Sequence, residues 1–292
     1  MIHSWQNHSL INKFRGAWLG GYVGAAKAQQ RYAGKPLVAG KIAELGAQSL
    51  VKVGYLDLAA WQEQIKMNDP ALLNLAGSLL MPEAIWATLP VMLFYHEQPR
   101  KLAPVLLSAL KFWLHPQESP APGLALGEAI ALLLRKNPRP QAIIEQTELE
   151  KIFGLPIKFW ANLPCLELAL KEITRHTPPN YVPIAIACYC FLSTPEDFSL
   201  SIRRAVLTPQ PEVTTVLVGI LSGAYNGLRG MPLSWYGETL DLAGSSSKDL
   251  SGNLVSDRFN QLNQLLDQLF AVWAGHYQTP EISWRNHLVT NL

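Results

Sequence analysis

Residues 181–236 read YVPIAIACYCFLSTPEDFSLSIRRAVLTPQPEVTTVLVGILSGAYNGLRGMPLSWY, and this stretch decides the fold. Its opening apolar run, Val182–Leu192, predicts a buried helix. Thr194-Pro195-Glu196-Asp197 follows, and a cap residue, a proline and two acids in this order are typical of a helix start. Gly219, Gly223 and Gly227 then recur at every fourth position, which places them on one face of a further helix.

A second row of glycines lies near the N-terminus, at Gly16, Gly20 and Gly24. A glycine inside a helix costs about 1 kcal/mol relative to alanine, and it is tolerated where another backbone or a ligand must come close. We expect the two glycine faces to lie at the centre of the fold and to contact each other. The alternative is that Gly20, Gly24, Gly219 and Gly223 line a cleft for a ligand.

Helical patterns extend over nearly the whole chain, whereas strand patterns are weak. Asp57 and the pair Asp69-Pro70 are suited to begin helices. Ser256 is suited to cap a long C-terminal helix, whose apolar residues share one face: Phe259, Leu262, Leu265, Leu266, Leu269 and Trp273. The sequence therefore predicts an all-α protein in which residues 1–292 form a single compact multi-helix domain.

The composition excludes several classes of function. The net charge of the chain is +2, and its Lys and Arg residues form no basic run, so we expect no nucleic-acid partner. The longest apolar runs are shorter than the ~20 residues of a membrane-spanning helix, so we expect no membrane association. Only three cysteines occur, Cys165, Cys188 and Cys190, which favours a reducing, cytoplasmic location. Cys188 and Cys190 lie in an apolar run, so we expect them to be buried helix thiols in preference to a ligand pair.

Local motifs for common catalytic chemistries are absent from the sequence. It contains no GxxxxGK[ST] phosphate loop, no GxGxxG, no HExxH and no GxSxG. The seven histidines are dispersed without metal-ligand spacing, and no two aspartates are adjacent or form DxD. A magnesium site and most glycosidic hydrolysis both depend on clustered carboxylates, which local spacing does not provide here.

Three stretches nevertheless resemble the ADP-ribosylglycohydrolases, the family that includes the dinitrogenase reductase activating glycohydrolase. Phe14–Ala26 is similar to the family's opening helix, which usually runs R-x-x-G-x-x-x-G-x-x-x-G-D-A. Ala87–His96, followed by His115-Pro116, is similar to a second block, and Ser193–Trp235 to the last. The resemblance implies an all-helical fold, two magnesium ions and hydrolysis of the bond between ADP-ribose and a modified side chain.

The chain departs from this family at the positions where the resemblance places metal-binding acids. Ala25 stands where the opening helix continues into Asp. Leu37-Val38-Ala39-Gly40 takes the place of a Thr-Asp-Asp-Thr cluster, so that Val38 and Ala39 replace acids. Gln210 and Glu212 take the two late aspartate positions, in an alignment that can shift by one residue. Glu212 is thus the only candidate metal ligand left, and the favoured interpretation is that it is a first-turn acid of the helix after Pro211.

These substitutions predict a pseudoenzyme with no metal cofactor, which acts as a binding or scaffold component. Its partner would be an unknown protein or a nucleotide-like ligand. Two alternatives stay open. The first is an active hydrolase that removes ADP-ribose with a rebuilt site that uses Glu212. The second is a metal-free sensor that binds ADP-ribose or a related nucleotide.

Overall fold

The structure, a computed structural model, describes residues 9–31, 38–135, 139–154, 165–235 and 253–276. Within these ranges the regular structure is helical, apart from an isolated bridge between Leu79 and Leu114. The α-helices, in chain order, are α1 (Leu10–Arg31), α2 (Ala39–Val53), α3 (Leu58–Asn68), α4 (Met81–Ala87), α5 (Leu89–Tyr95), α6 (Pro99–Trp113), α7 (Ala121–Arg135), α8 (Pro140–Glu145), α9 (Leu149–Phe153), α10 (Leu166–His176), α11 (Val182–Ser193), α12 (Phe198–Val206), α13 (Pro211–Asn226) and α14 (Asn253–Trp273). Short 3-10 turns occur at Pro70–Leu75, Pro179–Tyr181 and Leu228–Gly230. The all-α prediction is therefore confirmed.

The centre of the fold is the contact between α1 and α13, whose backbones meet along their two glycine rows. A methyl group at Gly20 would overlap the carbonyl oxygen of Gly219, and one at Gly16 would overlap that of Gly223. At the other end of the contact, a methyl group at Gly24 would overlap the carbonyl oxygen of Thr215. Any larger side chain in these rows would force the two helices apart, which explains why glycine occupies them.

The apolar core surrounds this helix pair. Helix α11 is buried on every side, with its residues from Pro183 to Leu192 all in the core. Burial raises the pKa of the Cys188 and Cys190 thiols to about 12, so both thiols stay protonated at neutral pH. The buried-thiol interpretation is therefore consistent with the structure. Helix α14 packs on α2 and α1.

Helix starts agree with the sequence prediction at some positions and differ at others. Asp57 caps α3, since its carboxylate accepts hydrogen bonds from the backbone amides of Ala59 and Ala60. Thr194, expected to begin a helix, instead ends α11, and the cap of α12 is Asp197, which accepts from the amide of Leu200. The extra turn between them lets Thr194 bond to Ser201 and to the carbonyl of Cys190.

Two other predicted starts have different outcomes: a helix does begin at Pro70 after Asp69, as a 3-10 turn, whereas the start predicted at Ser256 lies earlier. The side chain of Asp69 makes no capping hydrogen bond to the 3-10 turn that begins at Pro70. Helix α14 begins at Asn253, before the predicted cap Ser256. No helix in the described part of the chain combines the length and the apolar character needed to cross a membrane.

Candidate functional site

The second half of α1 leads from the glycine contact to Ala25, the first position where the resemblance expects an acid. Gly24 lies against Thr215 in α13, so Ala25 directly follows one end of the contact between the two helices. Ala25 is half-buried and packs against the core, whereas Ala26 and Ala28 are fully buried. The helix therefore presents a methyl group and no oxygen donor at this position.

The second position lies at the start of α2. Val38 precedes the helix and is 39% exposed, while Ala39 is buried in the first turn. Leu37, the first residue of the corresponding segment, lies outside the described residues. Gly40 packs against the ring of Trp86, which a side chain at this position would displace. The side chains of Val38, Ala39 and Gly40 thus provide no oxygen at this position.

The third position is the start of α13. Gln210 is the residue before the helix, is exposed, and makes no capping hydrogen bond through its side chain. Glu212 lies in the first turn and is also exposed, and no ion pair or side-chain hydrogen bond of Glu212 is seen within the described ranges. Its place in the first turn agrees with the first-turn-acid interpretation, because a helix N-terminus favours negative charge.

These positions do not provide the oxygen-rich donor set that a pair of magnesium ions prefers. Ala25, Val38 and Ala39 have no side-chain oxygen, and Gln210 has a neutral amide. Among the residues that the structure describes, no group of three His, Cys, Asp or Glu side chains could hold a metal ion. The family's two-metal chemistry thus has no matching donors at these positions.

The glycines predicted to line a cleft lie instead in the helix contact. Gly20 and Gly24 on α1 face the backbone of α13, and Gly219 and Gly223 face that of α1. The space beside each glycine is therefore filled by the carbonyl groups of the other helix. Of the two sequence interpretations, close helix packing describes this arrangement, and it leaves no room for a ligand between the rows.

Sequence reasoning missed Glu44, a buried carboxylate on α2. Glu44 is 2% exposed. Its Oε1 lies 2.6 Å from the hydroxyl of Tyr22, and its Oε2 lies 3.4 Å from Nζ of Lys41. The Tyr22 hydroxyl also lies 3.0 Å from the carbonyl oxygen of Gly40, which ties α1 to the first turn of α2. The hint was present in the sequence, since Glu44 interrupts the apolar run from Ile42 to Ala47.

Two further titratable groups are buried near α1, away from the positions above. Nζ of Lys13 donates to the carbonyl oxygen of Leu133, and burial lowers the pKa of Lys13 to about 8. The ring of His96 lies between Phe14 and Trp273, and burial lowers the pKa of His96 to about 4. Both groups connect helices of the core.

Comparisons with family models and with solved structures show which proteins this chain resembles. The sequence model of the ADP-ribosylglycohydrolase family matches residues 42–279. Among solved structures, the chain is similar to an ADP-ribosylglycohydrolase-related protein complex, with 17% identity and a TM-score of 0.60, over 90% of this chain and 99% of that chain. At this identity the likeness concerns the fold. A comparison with curated proteins found no match.

Proposed function

The chain belongs to the ADP-ribosylglycohydrolase family, and from this premise we propose that it is a non-catalytic member that acts by binding, as a partner or scaffold protein. The observation that carries the proposal is the apolar character of Ala25, Val38 and Ala39, where the family resemblance expects metal-binding acids. Removing water from magnesium costs free energy. A site with so few carboxylates does not bind the ion strongly enough to compensate for that cost.

Loss of the metals also removes the chemistry that depends on them. Magnesium ions orient a substrate and activate water, and the side chains of Ala25, Val38, Ala39 and Gln210 have no equivalent for either task, which leaves Glu212 as a single acid. The proposal therefore includes no metal cofactor. It also includes a cytoplasmic location, which is supported by the small and odd number of cysteines, three in the chain.

The absence of acids has a consequence for stability. Clustered carboxylates repel one another when no cation is bound, and Ala25, Val38 and Ala39 carry no charge. We expect the fold to be stable without metal, in contrast to an active family member from which the ions have been removed. The similar solved structure is a protein complex, which is a reason to search for a protein partner of this chain as well.

The test is thermal unfolding with EDTA and with magnesium, and a magnesium-dependent family member serves as the positive control. The proposal predicts no change in Tm for this chain and an increase for the control. A magnesium-dependent increase for this chain, abolished by EDTA, contradicts the proposal.

Two further assays separate the alternatives. Release of ADP-ribose from arginine-, serine- or nucleic-acid-linked substrates would identify an active hydrolase with a rebuilt site around Glu212. Calorimetric binding of ADP-ribose without its release would identify a metal-free sensor. Neither signal is expected from a scaffold protein, whose partner would instead be found by its binding to the intact chain.

A further inference from the structure

A polar groove of about 420 Å³ lies between α2 and α14. Helix α2 contributes Lys41, Glu44 and Gln48, and α14 contributes Gln261, Gln264 and Gln268. Each set has the spacing i, i+3, i+7, so each helix turns one continuous face toward the groove. The volume falls within the range of about 300–1,000 Å³ that is usual for small-molecule sites.

The wall that α2 provides is held in place by hydrogen bonds. Glu44 is 2% exposed and is fixed by the Tyr22 hydroxyl and by Lys41. Gln48 accepts a hydrogen bond of 2.9 Å from the side-chain amide of Gln64. A ligand that enters the groove thus meets polar groups whose positions are already set, which lowers the entropy cost of binding.

The chemistry of the lining favours one class of ligand. Each glutamine amide offers both donors and an acceptor, which match hydroxyl groups because a hydroxyl also donates and accepts. Lys41 and Glu44 form an ion pair with each other, so their charges compensate and the lining carries no net charge that would favour a charged ligand. The apolar part is small and consists of Leu262 and Leu265.

We propose that this groove binds a neutral, polyhydroxylated small molecule, such as a sugar or a polyol. No aromatic side chain lines the groove in the part of the chain that the structure describes, so a nucleobase has no ring on which to stack. The ligand class is therefore different from an adenine nucleotide. The lining does not include the glycine rows or Glu212, and Lys41 lies in the same first turn of α2 as Ala39.

The test uses the side-chain amide signals of the full-length, isotope-labelled chain in NMR spectra. Glucose, maltose and myo-inositol are titrated separately, with ADP-ribose and inorganic phosphate as charged probes. Single Gln→Met variants assign the four signals, since Met keeps the length of the side chain and removes the amide. The expected result is saturable shifts of the Gln48, Gln261, Gln264 and Gln268 signals with at least one neutral probe.

Variants on α14, the exposed wall of the groove, form the second part of the test. Gln264→Met and Gln268→Met should each weaken binding by about fivefold, the effect of one lost hydrogen bond. Gln117→Met is the matched control, because Gln117 is exposed and lies outside the groove. The proposal is overturned by absence of saturable shifts, by equal losses in the control, or by stronger binding of ADP-ribose or phosphate at these four signals.

Discussion

His96 connects three helices of the core through one aromatic ring. It packs between Phe14 of α1 and Trp273 of α14, and its Nδ1 lies 2.8 Å from the carbonyl oxygen of Leu93. Its Nε2 is buried and has no hydrogen-bond partner within the described residues. Protonation would place an unpaired charge in this apolar contact, which is why burial lowers the pKa of His96.

The lowered pKa of His96 predicts that the folded protein becomes less stable in acid. Between about pH 6.5 and 4 the unfolded chain binds a proton at His96 that the folded chain does not, so stability falls as the pH falls through this range. The expected loss by pH 4 is on the order of 3 kcal/mol. Urea unfolding measured at several pH values checks it, and His96→Phe should flatten the profile. An equal flattening by His115→Gln, at an exposed histidine, would contradict the assignment.

Thiol reactivity tests the burial of the cysteines. Cys165 is exposed, whereas Cys188 and Cys190 are buried with pKa values raised to about 12. Because the thiolate is the reactive form, a thiol reagent should modify one cysteine in the folded protein and all three after denaturation. Cys165→Ser should remove the fast reaction. Rapid modification of that variant would show that α11 is not held in the core.

At the scale of single helices, the first prediction concerns the cap of α12. The sequence pattern placed this cap at Thr194, whereas in the structure it is Asp197. Asp197→Ala removes the acceptor for the Leu200 amide and should cost about 1 kcal/mol in unfolding free energy. Glu196→Ala is the control, because Glu196 is an exposed neighbour that is not the cap residue. Equal costs for the two variants would mean that general helix-dipole charge, and not the cap, stabilises the helix.

The close contact of α1 and α13 gives a second prediction at this scale. Gly20→Ala places a methyl group against the Gly219 carbonyl, and backbone cannot move aside as a side chain can. We expect a loss of about 3 kcal/mol, measured by urea unfolding.

Gly21→Ala is the matched control on the same helix. The added methyl group would lie 3.0 Å from the Trp86 ring and 3.3 Å from the Ile220 side chain, which is a milder overlap than the one with backbone at Gly20. The gain in helix propensity, about 1 kcal/mol, offsets part of that cost. A Gly20→Ala variant as stable as Gly21→Ala would argue against backbone contact between the two glycine rows.

The helices were predictable where a local rule decides the outcome. Four-residue glycine spacing predicted the α1–α13 contact, and Asp57 was identified as a cap. The start of α12 was not predictable, because Thr194 and Asp197 are both good caps and a tertiary contact decides between them. In the fold, the hydroxyl of Thr194 forms hydrogen bonds with the hydroxyl of Ser201 and with the carbonyl oxygen of Cys190.

At the scale of the whole molecule, the sequence predicted the helical class but not the groove or the surroundings of Glu44. The burial of Glu44 depends on Tyr22 from α1 and on the packing of α14 against α2. No window of sequence around residue 44 contains either helix. Sites made by elements distant in the chain are therefore found only once the fold is known.

Restoring the acids tests whether the proposed positions correspond to the family's metal centre. A variant with Ala25→Asp, Val38→Asp and Gln210→Asp adds three carboxylates to Glu212. At low ionic strength we expect a lower Tm without metal, because the acids repel one another. Magnesium at ten times its Kd should then stabilise the variant by about 1.4 kcal/mol.

The charge-matched control carries three aspartates at exposed glutamines, Gln98→Asp, Gln117→Asp and Gln141→Asp. It has the same added charge but should not respond to magnesium, as judged by thermal unfolding. A similar response in both variants, or in neither, would mean that the mapping of Ala25, Val38 and Gln210 onto the metal centre is wrong.

The glycine rows also bear on how the protein is made. Gly20 and Gly219 are roughly 200 residues apart, so the N-terminal helix leaves the ribosome long before its counterpart is translated. Until then the apolar side chains of α1 that surround its glycine row, such as Phe14 and Trp18, lack their native neighbours and expose hydrophobic surface. Final assembly is thus set by the arrival of α13, and truncations before it should yield chains that aggregate.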